Sequence, residues 1–355
     1  MRILQIVGRF DFGGAENHVR ELCNHQAALG QQVYLLSQRG RQMHLLSNHV
    51  NYIQLPKFAS KLLFFHVAVI VFIILTKRIN IIHAHQRLPI ISACIAGWMT
   101  RTSVIATVHG RTKHDLRSIL SQRLLKQIIF VSNRVMENSK NYNSIRHKSI
   151  VIPNGIPLPI TQPQIEPFTI GYFSRIDKRH FETIKLIINA IIKLKGKHYN
   201  IKLKIYGEGE EVDNLKHLIE DTNIRYNDRF IIYSGLIENL EFLDTFPELV
   251  VGVGRVAIES LARGSNLLSA NNKRMGEVIT TQNFQFYSSN NFVNVDGVAP
   301  TESIILTTLS NYYLNRTSYK VHSEKISKLI QENFSISKTT TMLNEIYHKA
   351  LTESR

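Results

Sequence analysis

Cysteine is almost missing from this sequence. Cys23 and Cys94 are the only two among 355 residues. They are too few and too far apart for a disulfide framework or a zinc-ligand pattern, so a reducing cytoplasm is the expected setting. No Asp-x-Asp pair stands near the end of a predicted strand, so a divalent metal is not expected to carry a leaving diphosphate. The start, "MRILQIVGRFDFGGAE", passes from a short apolar strand straight into a glycine turn with no small-residue cleavage site, and no secretory leader is expected. The longest apolar run, "LLFFHVAVIVFIIL" over 62–75, holds 14 residues, short of the roughly 20 that a spanning helix needs. Carboxylates are scarce: 27 Asp and Glu face 43 Lys and Arg, a net charge of +16. Such a surplus points to an anionic partner, whether nucleic acid, a phosphorylated ligand or acidic lipid. The bases are scattered, with no RNP-type aromatic motif and no zinc-finger spacing, which disfavours nucleic acid.

Apolar residues make up 44% of the chain, enough for sizeable cores. The length exceeds what one core ordinarily organises, so two domains are expected. Apolar runs at 2–8, 32–38, 79–86, 103–110 and 127–133 read as strands. Residues 15–30 place Val19, Leu22, Cys23, Ala27 and Leu29 on one helical face and stop at Gly30. Short apolar strands alternating with helices predict a parallel sheet covered on both faces. The stretch 152–167 holds five of the nine prolines. It reads as neither helix nor central strand, and we take it as the interdomain linker. The alternation then restarts, with strands at 168–176, 201–209, "RFIIYSG" and "PELVVGVG", helices at 182–194 and "NLKHLIEDT", and only helical signal from 301 onward. The expected division is a Rossmann-like domain over 1–160, a second over 161–300, and C-terminal helices over 301–355 that pack back towards the first. Two such halves leave a cleft, and ligands bind beyond the carboxyl ends of the strands.

Three turns carry the chemistry. "GRFDFGGAENH" follows the first strand; Gly13 and Gly14 let a ligand approach the backbone, and the helix start offers N–H groups. The turn lacks G-x-G-x-x-G and a following acidic strand end, which disfavours a nicotinamide site. "SRIDKRH" (174–180) sets Arg175, Lys178, Arg179 and His180 after the first strand of the second half, suited to phosphate oxygens or to plain solvation. "GVGRVAIESLARG" begins with Gly252 and Gly254 and carries Glu259 among apolar Ala257, Ile258 and Leu261. A semi-buried carboxylate needs a partner. The vicinal hydroxyls of a ribose supply one reading, and an ion pair with Arg263 at i+4 the other.

These turns belong to a longer series of segments: "GGAENHVRELCNHQAALGQQV", "INIIHAH", "VIATVHG", "VSNRV", "VIPNGI", "GYFSRIDK", "LKIYGEGEE", "GVGRVAIESLARG" and "ENFSISKTTTMLNEIYHKAL". In this order, over nearly the whole chain, they resemble the retaining glycosyltransferases of family 4. That resemblance implies an α/β GT-B architecture, two Rossmann-like domains whose parallel sheets face each other across a cleft, acceptor side first and donor side second. It also implies roles. Gly13 and Gly14 match the loop near the donor's phosphates and sugar, and His109 the histidine that touches the transferred sugar. Arg175 matches the diphosphate arginine, with Lys178, or else Arg179, as its partner. Glu259 matches the second motif glutamate, which holds the ribose. The family's first glutamate would fall at position 251, where this chain has Val251 and the G-x-G-R variant "GVGR". Backbone N–H groups over 253–256, with Gly254, Arg255 and Val256, and Gly207 in its own turn, are then the expected further donor contacts.

The implied reaction moves a hexose or N-acetylhexosamine from a nucleotide diphosphate-sugar, expected to be UDP-linked, to a glycan or lipid-linked hydroxyl with retention. The expected context is lipopolysaccharide or capsule synthesis, with the enzyme peripheral on the inner face of the cytoplasmic membrane. No cofactor and no metal are expected, and His83 and His85, which alternate on one strand face without a third ligand, read as cleft or core residues. The apolar run 62–75, flanked by Lys57, Lys61, Lys77 and Arg78, reads as a fully buried helix, with a membrane-pressed helix as the alternative. Two rival classes are a GT-B nucleotide-sugar epimerase and a basic nucleic-acid-binding protein.

Overall fold

The computed structural model describes residues 1–57, 59–110, 116–139, 142–196, 200–238, 240 and 243–353. The chain divides into two units, residues 1–157 with 334–355, and residues 158–333. In the first, β1 (Arg2–Arg9), α1 (Gly14–Ala28), β2 (Gln32–Gln38), β3 (Asn51–Gln54), α2 (Leu63–Lys77), β4 (Ile81–His85), α3 (Arg87–Thr100), β5 (Ser103–Val108), α4 (Leu116–Leu124), β6 (Gln127–Phe130), α5 (Asn133–Glu137), α6 (Tyr142–Ile145) and β7 (Ser149–Val151) follow in order. The second contains β8 (Gln164–Phe173), α7 (Lys178–Lys195), β9 (Lys202–Tyr206), α8 (Val212–Arg225), β10 (Ile231–Gly235), β11 (Thr245–Gly252), α9 (Arg255–Ala262), β12 (Asn266–Ala270), β13 (Met275–Val278), α10 (Phe284–Ser289), α11 (Glu302–Leu314) and α12 (Arg316–Phe334). The last helix, α13 (Ile336–Thr352), returns to the first unit.

The first unit's seven strands run parallel in the order β3-β2-β1-β4-β5-β6-β7. Helices cover both faces, so a central strand is buried at every position, as "IIHAH" of β4 is. Ile82 and Ala84 join the core beneath α2 and α3. Ile81 joins the opposite core, with Leu22 of α1 and Leu343 and Tyr347 of α13. The second unit has the order β10-β9-β8-β11-β12-β13, with β13 antiparallel at the edge. Its core is dominated by isoleucines of β8, β9 and α7.

Several expectations are corrected. The proline-rich stretch does not stop short of the sheet: β8 begins at Gln164 and is a central strand between β9 and β11. Pro167 is accommodated because the β8–β11 register shifts beside it, just past the Glu166–Pro247 pair, and Phe168 adopts φ 57°. A proline that cannot donate to the ladder is tolerated at such a bulge. The expected tail 301–355 is divided. α11 and α12 stay with the second unit because buried Glu248 of β11 accepts hydrogen bonds from Tyr312 Oη (3.0 Å), Arg316 Nε (2.5 Å) and the Phe168 amide (2.6 Å). Only α13 packs on the first unit, where Ile336 N donates to Ile156 O (2.7 Å) and Ile156 N to Phe334 O (2.9 Å).

The run 62–75 is not fully buried. As the crossover between β3 and β4, α2 covers the outside of the sheet and buries only the side carrying Val67, Ile70, Ile73 and Ile74. With the turn before it, Ser60–Lys77 is long and apolar enough to cross a membrane by length and composition, and 28% of it is buried.

Helix α13 carries Tyr347, whose hydroxyl lies 2.6 Å from His83 Nδ1 and accepts from Gln5 Nε2 at 3.3 Å. Tyr347→Phe leaves buried His83 Nδ1 unpaired and removes one of the two acceptors of Gln5 Nε2. We predict a loss of about 1–3 kcal/mol of stability, read from urea unfolding; an unchanged midpoint would show that the hydroxyl does not bind α13 to the sheet.

Candidate functional site

In the first unit, parallel pairing brings the carboxyl ends of β1, β4, β5 and β7 to one edge of the sheet. Gly13 is the N-cap of α1, with no side-chain cap. A methyl group on Gly14 would meet nothing within 4 Å, so space does not demand glycine there. Glu16 occupies the first turn and accepts from Gln86 Nε2 at 2.5 Å, while Gln86 Oε1 accepts from the Gly8 amide at 3.0 Å. A carboxylate already answers the positive end of this helix. A turn answered in this way suits hydroxyl groups.

His109 follows β5 and is partly exposed. Its Nε2 lies 3.1 Å from His85 Nδ1, and His85 Nε2 lies 3.0 Å from Gln5 Oε1. Gln5 donates through Nε2 to Gln26 Oε1 and Tyr347 Oη, which fixes its amide orientation. His85 must then donate through Nε2 and accept at Nδ1, so His109 carries its proton on Nε2. His83, likewise, accepts from Tyr347 and donates to Thr107 Oγ1 at 2.7 Å. His83, His85 and His109 are all neutral. Burial pushes His83 down to about 3, with the charge of His109 adding to it. Burial pushes His109 down to about 4 against a smaller opposing pull from Asn154. His85 is held well below its ordinary value by burial, then by its histidine neighbours. His83 and His85 are thus committed to hydrogen bonds within the core.

His109 Nδ1 and Asn154 Oδ1 are both enclosed without a hydrogen bond. Two neighbouring acceptors of this kind call for a hydroxyl donor. His18 stacks edge-on against His109 and His85, at 5.6 and 6.3 Å between centroids. A cavity of about 280 Å³ lined by Gln86, Ile90, Thr107, His109, Ser121 and Leu125 adjoins the cluster. Glu16, His18, Gln86 and Asn154 were missed in the sequence. Nothing in their spacing marks them, and only "VIPNGI" among the matching segments could have directed attention to Asn154.

In the second unit, β8 and β11 pair side by side, Val251 opposite Tyr172. The turns that follow them are thereby neighbours. Asp177 caps α7, accepting from the Arg179 and His180 amides and lying 2.8 Å from His180 Nδ1. Against the desolvation that would raise it, these hydrogen bonds hold its carboxyl far below the usual range. Arg179 is tied to the same carboxylate at 3.1 Å. Among the described residues, Arg175 and Lys178 form no ion pair and are exposed. Of the two, Lys178 is the cation without an ion pair among the described residues. Gly207 has φ 143°, and a side chain on it would strike Ser174 O at 1.8 Å. Its service is to let the basic turn close against the end of β9.

Gly254, φ 63°, is the N-cap of α9, which has no side-chain cap. The Gly254 amide is taken by Asn291 O at 2.9 Å. Glu259 is paired, but with neither candidate foreseen: Arg255 Nη2 lies 2.6 Å from Glu259 Oε1, both side chains largely buried. Arg263, the partner expected from i+4 spacing, instead donates through Nη1 to the backbone oxygen of Glu259 at 2.9 Å. Val251 lies in the core, so position 251 presents nothing to a ligand.

Residues 12–158 match the protein family described as Glycosyltransferase Family 4, and residues 160–295 that described as Glycosyl transferases group 1. Among solved structures, a glycosyltransferase from Rickettsia africae ESF-5 is 17% identical with TM-score 0.75, over 99% of this chain and 98% of that one. Anabaena Alr3699/HepE in complex with UDP-glucose is 14% identical with TM-score 0.71, over 98% and 100%. UDP-GlcNAc 2-epimerase from Neisseria meningitidis bound to UDP-GlcNAc is 13% identical with TM-score 0.59, over 98% and 100%. No curated protein matches. At these identities the likeness is one of fold, and the two parallel-sheet α/β units have the GT-B architecture.

The neutral histidines give a pH signature. A ring whose pKa falls on folding binds its proton more weakly in the native chain than in the unfolded one. Its contribution to stability is present above the ordinary value of 6.5 and is lost as pH falls towards the folded values, about 4 for His109 and about 3 for His83. Between those limits we predict a loss approaching about 1.4 kcal/mol per pH unit for each such histidine. Urea midpoints measured at successive pH values check this; a midpoint flat or rising on acidification over that window would mean that the rings are charged in the fold.

Proposed function

We propose that this chain, which belongs to the GT-B glycosyltransferases of family 4 and group 1, moves a hexose or N-acetylhexosamine from a UDP-sugar to a hydroxyl of a glycan or lipid-linked acceptor, with retention. The reading places it in bacterial surface polysaccharide synthesis, of lipopolysaccharide or capsule, at the inner face of the cytoplasmic membrane. One observation carries the chemistry. The uncapped start of α9 and two cations without an ion pair, Arg175 and Lys178, follow adjacent parallel strands. Such a juxtaposition suits a diphosphate. UDP or UDP-sugars in solved proteins of like fold support the donor class.

In this reading Glu259 accepts from the ribose hydroxyls, while Arg255 holds the carboxylate in place through its ion pair. The acceptor oxygen bonds to the anomeric carbon as the bond from that carbon to the diphosphate oxygen breaks. The acceptor's proton passes to the leaving phosphate. Arg175, Lys178 and the α9 amides stabilise the negative charge that develops there, preorganised electrostatic catalysis that needs no metal. His109 Nδ1 and Asn154 Oδ1 accept sugar hydroxyl protons. A nucleotide-sugar epimerase is a second reading, favoured by the epimerases of like fold, with Asp11 and Glu16 as the carboxylates beyond β1.

The test is a panel of nucleotide-sugars, with products separated and their anomeric configuration read by NMR. Slow hydrolysis or transfer with retention is expected. A 2-epimer product would favour the second reading. DNA binding with steep salt dependence and no nucleotide-sugar turnover would overturn both. Glu259→Gln should weaken UDP binding by about 1–3 kcal/mol in calorimetry; unchanged affinity in the folded variant removes Glu259 from the site. Arg175→Ala or Lys178→Ala should lower kcat more than it raises KM, and EDTA should change nothing. Activity lost to EDTA and restored by magnesium would sink the metal-free mechanism.

A further inference from the structure

The net charge of the chain is confined to one unit. Residues 158–333 carry 20 Lys and Arg against 20 Asp and Glu; residues 1–157 carry 20 against five, and 334–355 three against two. Between Glu21 and Asp115 there are ten bases and no carboxylate. The scatter of bases along the sequence hides this division, because it is the acids that are unevenly placed.

The same unit exposes a cluster of large apolar side chains. α2 packs beside α3, and α3 beside α4. Half of the large hydrophobic residues exposed among the described residues lie on these three helices and the turn that leads into α2. Phe64 is 86% exposed, Phe72 67% and Trp98 70%, with Leu75, Met99 and Leu124 also exposed. A surface helix ordinarily turns a polar face to water. α2 has none: from Leu62 to Leu75 its one polar residue, His66, is buried with Nε2 2.8 Å from Lys57 O. Exposed bases stand at the helix ends, Lys61 before α2, Lys77 as its last residue and Arg78 after it, and Arg101 after α3. Arg78 and Arg101 both occupy left-handed C-caps, φ 51° and 56°, where glycine is the usual choice.

We propose that this face of the first unit docks on an anionic lipid bilayer. Phe64, Phe72, Leu75 and Trp98 enter the acyl boundary, and Lys61, Lys77, Arg78 and Arg101 meet headgroup phosphates. The helix lies in the interface and does not cross it, because its inner side is held in the sheet's core. Charge selects the occupant. A second copy would bring two strongly basic faces together, whereas acidic headgroups are complementary to one. The proposal deepens the membrane location proposed above and rests on it. It is tested without donor or acceptor, so its failure leaves the transferase reading standing with a soluble acceptor.

Trp98 is the only tryptophan, and so reports on this face alone. With full-length protein at low salt, flotation is expected with phosphatidylcholine–phosphatidylglycerol vesicles and not with phosphatidylcholine alone. Trp98 emission should shift to the blue and be quenched by brominated acyl chains. The double variant Phe64→Asp with Phe72→Asp, on the exposed side of α2, should weaken partition at least about tenfold, with its circular dichroism unchanged. Absence of flotation with the anionic vesicles overturns the proposal. So does flotation with Trp98 unshifted and unquenched, which would place another face at the bilayer. A blue shift that grows with protein concentration in the absence of vesicles would show the face to be covered by a second copy instead.

Discussion

Parallel pairing of the two central strands in each unit is the constraint on which the rest depends. A strand and its parallel neighbour end at the same edge of a sheet, so whatever follows them is delivered to one place. β8 and β11 are far apart in sequence, yet the register of Val251 on Tyr172 sets the basic turn beside the start of α9. In the first unit the same rule gathers the ends of β1, β4, β5 and β7. The two edges are then finished differently. One is furnished with cations and a helix start without a side-chain cap, the other with neutral imidazoles and amide side chains. The first suits charge, the second hydroxyl groups.

The neutrality of the imidazoles is enforced by connection as much as by burial. Gln26 and Tyr347 orient Gln5, Gln5 orients His85, and His85 orients His109. The proton position on a partly exposed ring is therefore decided by side chains in the core. Such a network is worth more intact than its separate bonds suggest, since an unpaired member in a low-dielectric interior is expensive. The Arg255–Glu259 pair does the corresponding work in the second unit, giving a largely buried carboxylate a charged partner among apolar neighbours.

Much of this was legible in the sequence, and the exceptions have physical causes. Long apolar runs such as 2–8 and 103–110 and the glycine turns after them announced the alternation of strand and helix. β3 and β7, of four and three residues, are too short to carry a period. Pro167 argued against a central strand and was overruled by a bulge that only the pairing with β11 reveals. Helix spacing suggested Arg263 for Glu259, but Arg263 donates to a backbone oxygen, and Arg255, one turn earlier, takes the carboxylate. A run apolar on all sides, as at 62–75, carries no period that tells a buried helix from one with an open face; the position of α2 outside the sheet answers that. Glu16, Gln86 and Asn154 form no pattern in sequence because the strands bring them together.

The return of α13 to the first unit has a consequence for how the protein is made. On a ribosome, the N-terminal segment emerges first and would ordinarily fold first. Here Tyr347 and Leu343 are synthesised only after residues 158–333. Until then the nascent first unit holds Gln5, Gln26 and His83 without their shared partner, and Ile3 and Ile105 without the apolar side that closes over them. The second unit, continuous in sequence, can reach its native state while the first is still open. The half that is translated first is thus the half that is finished last.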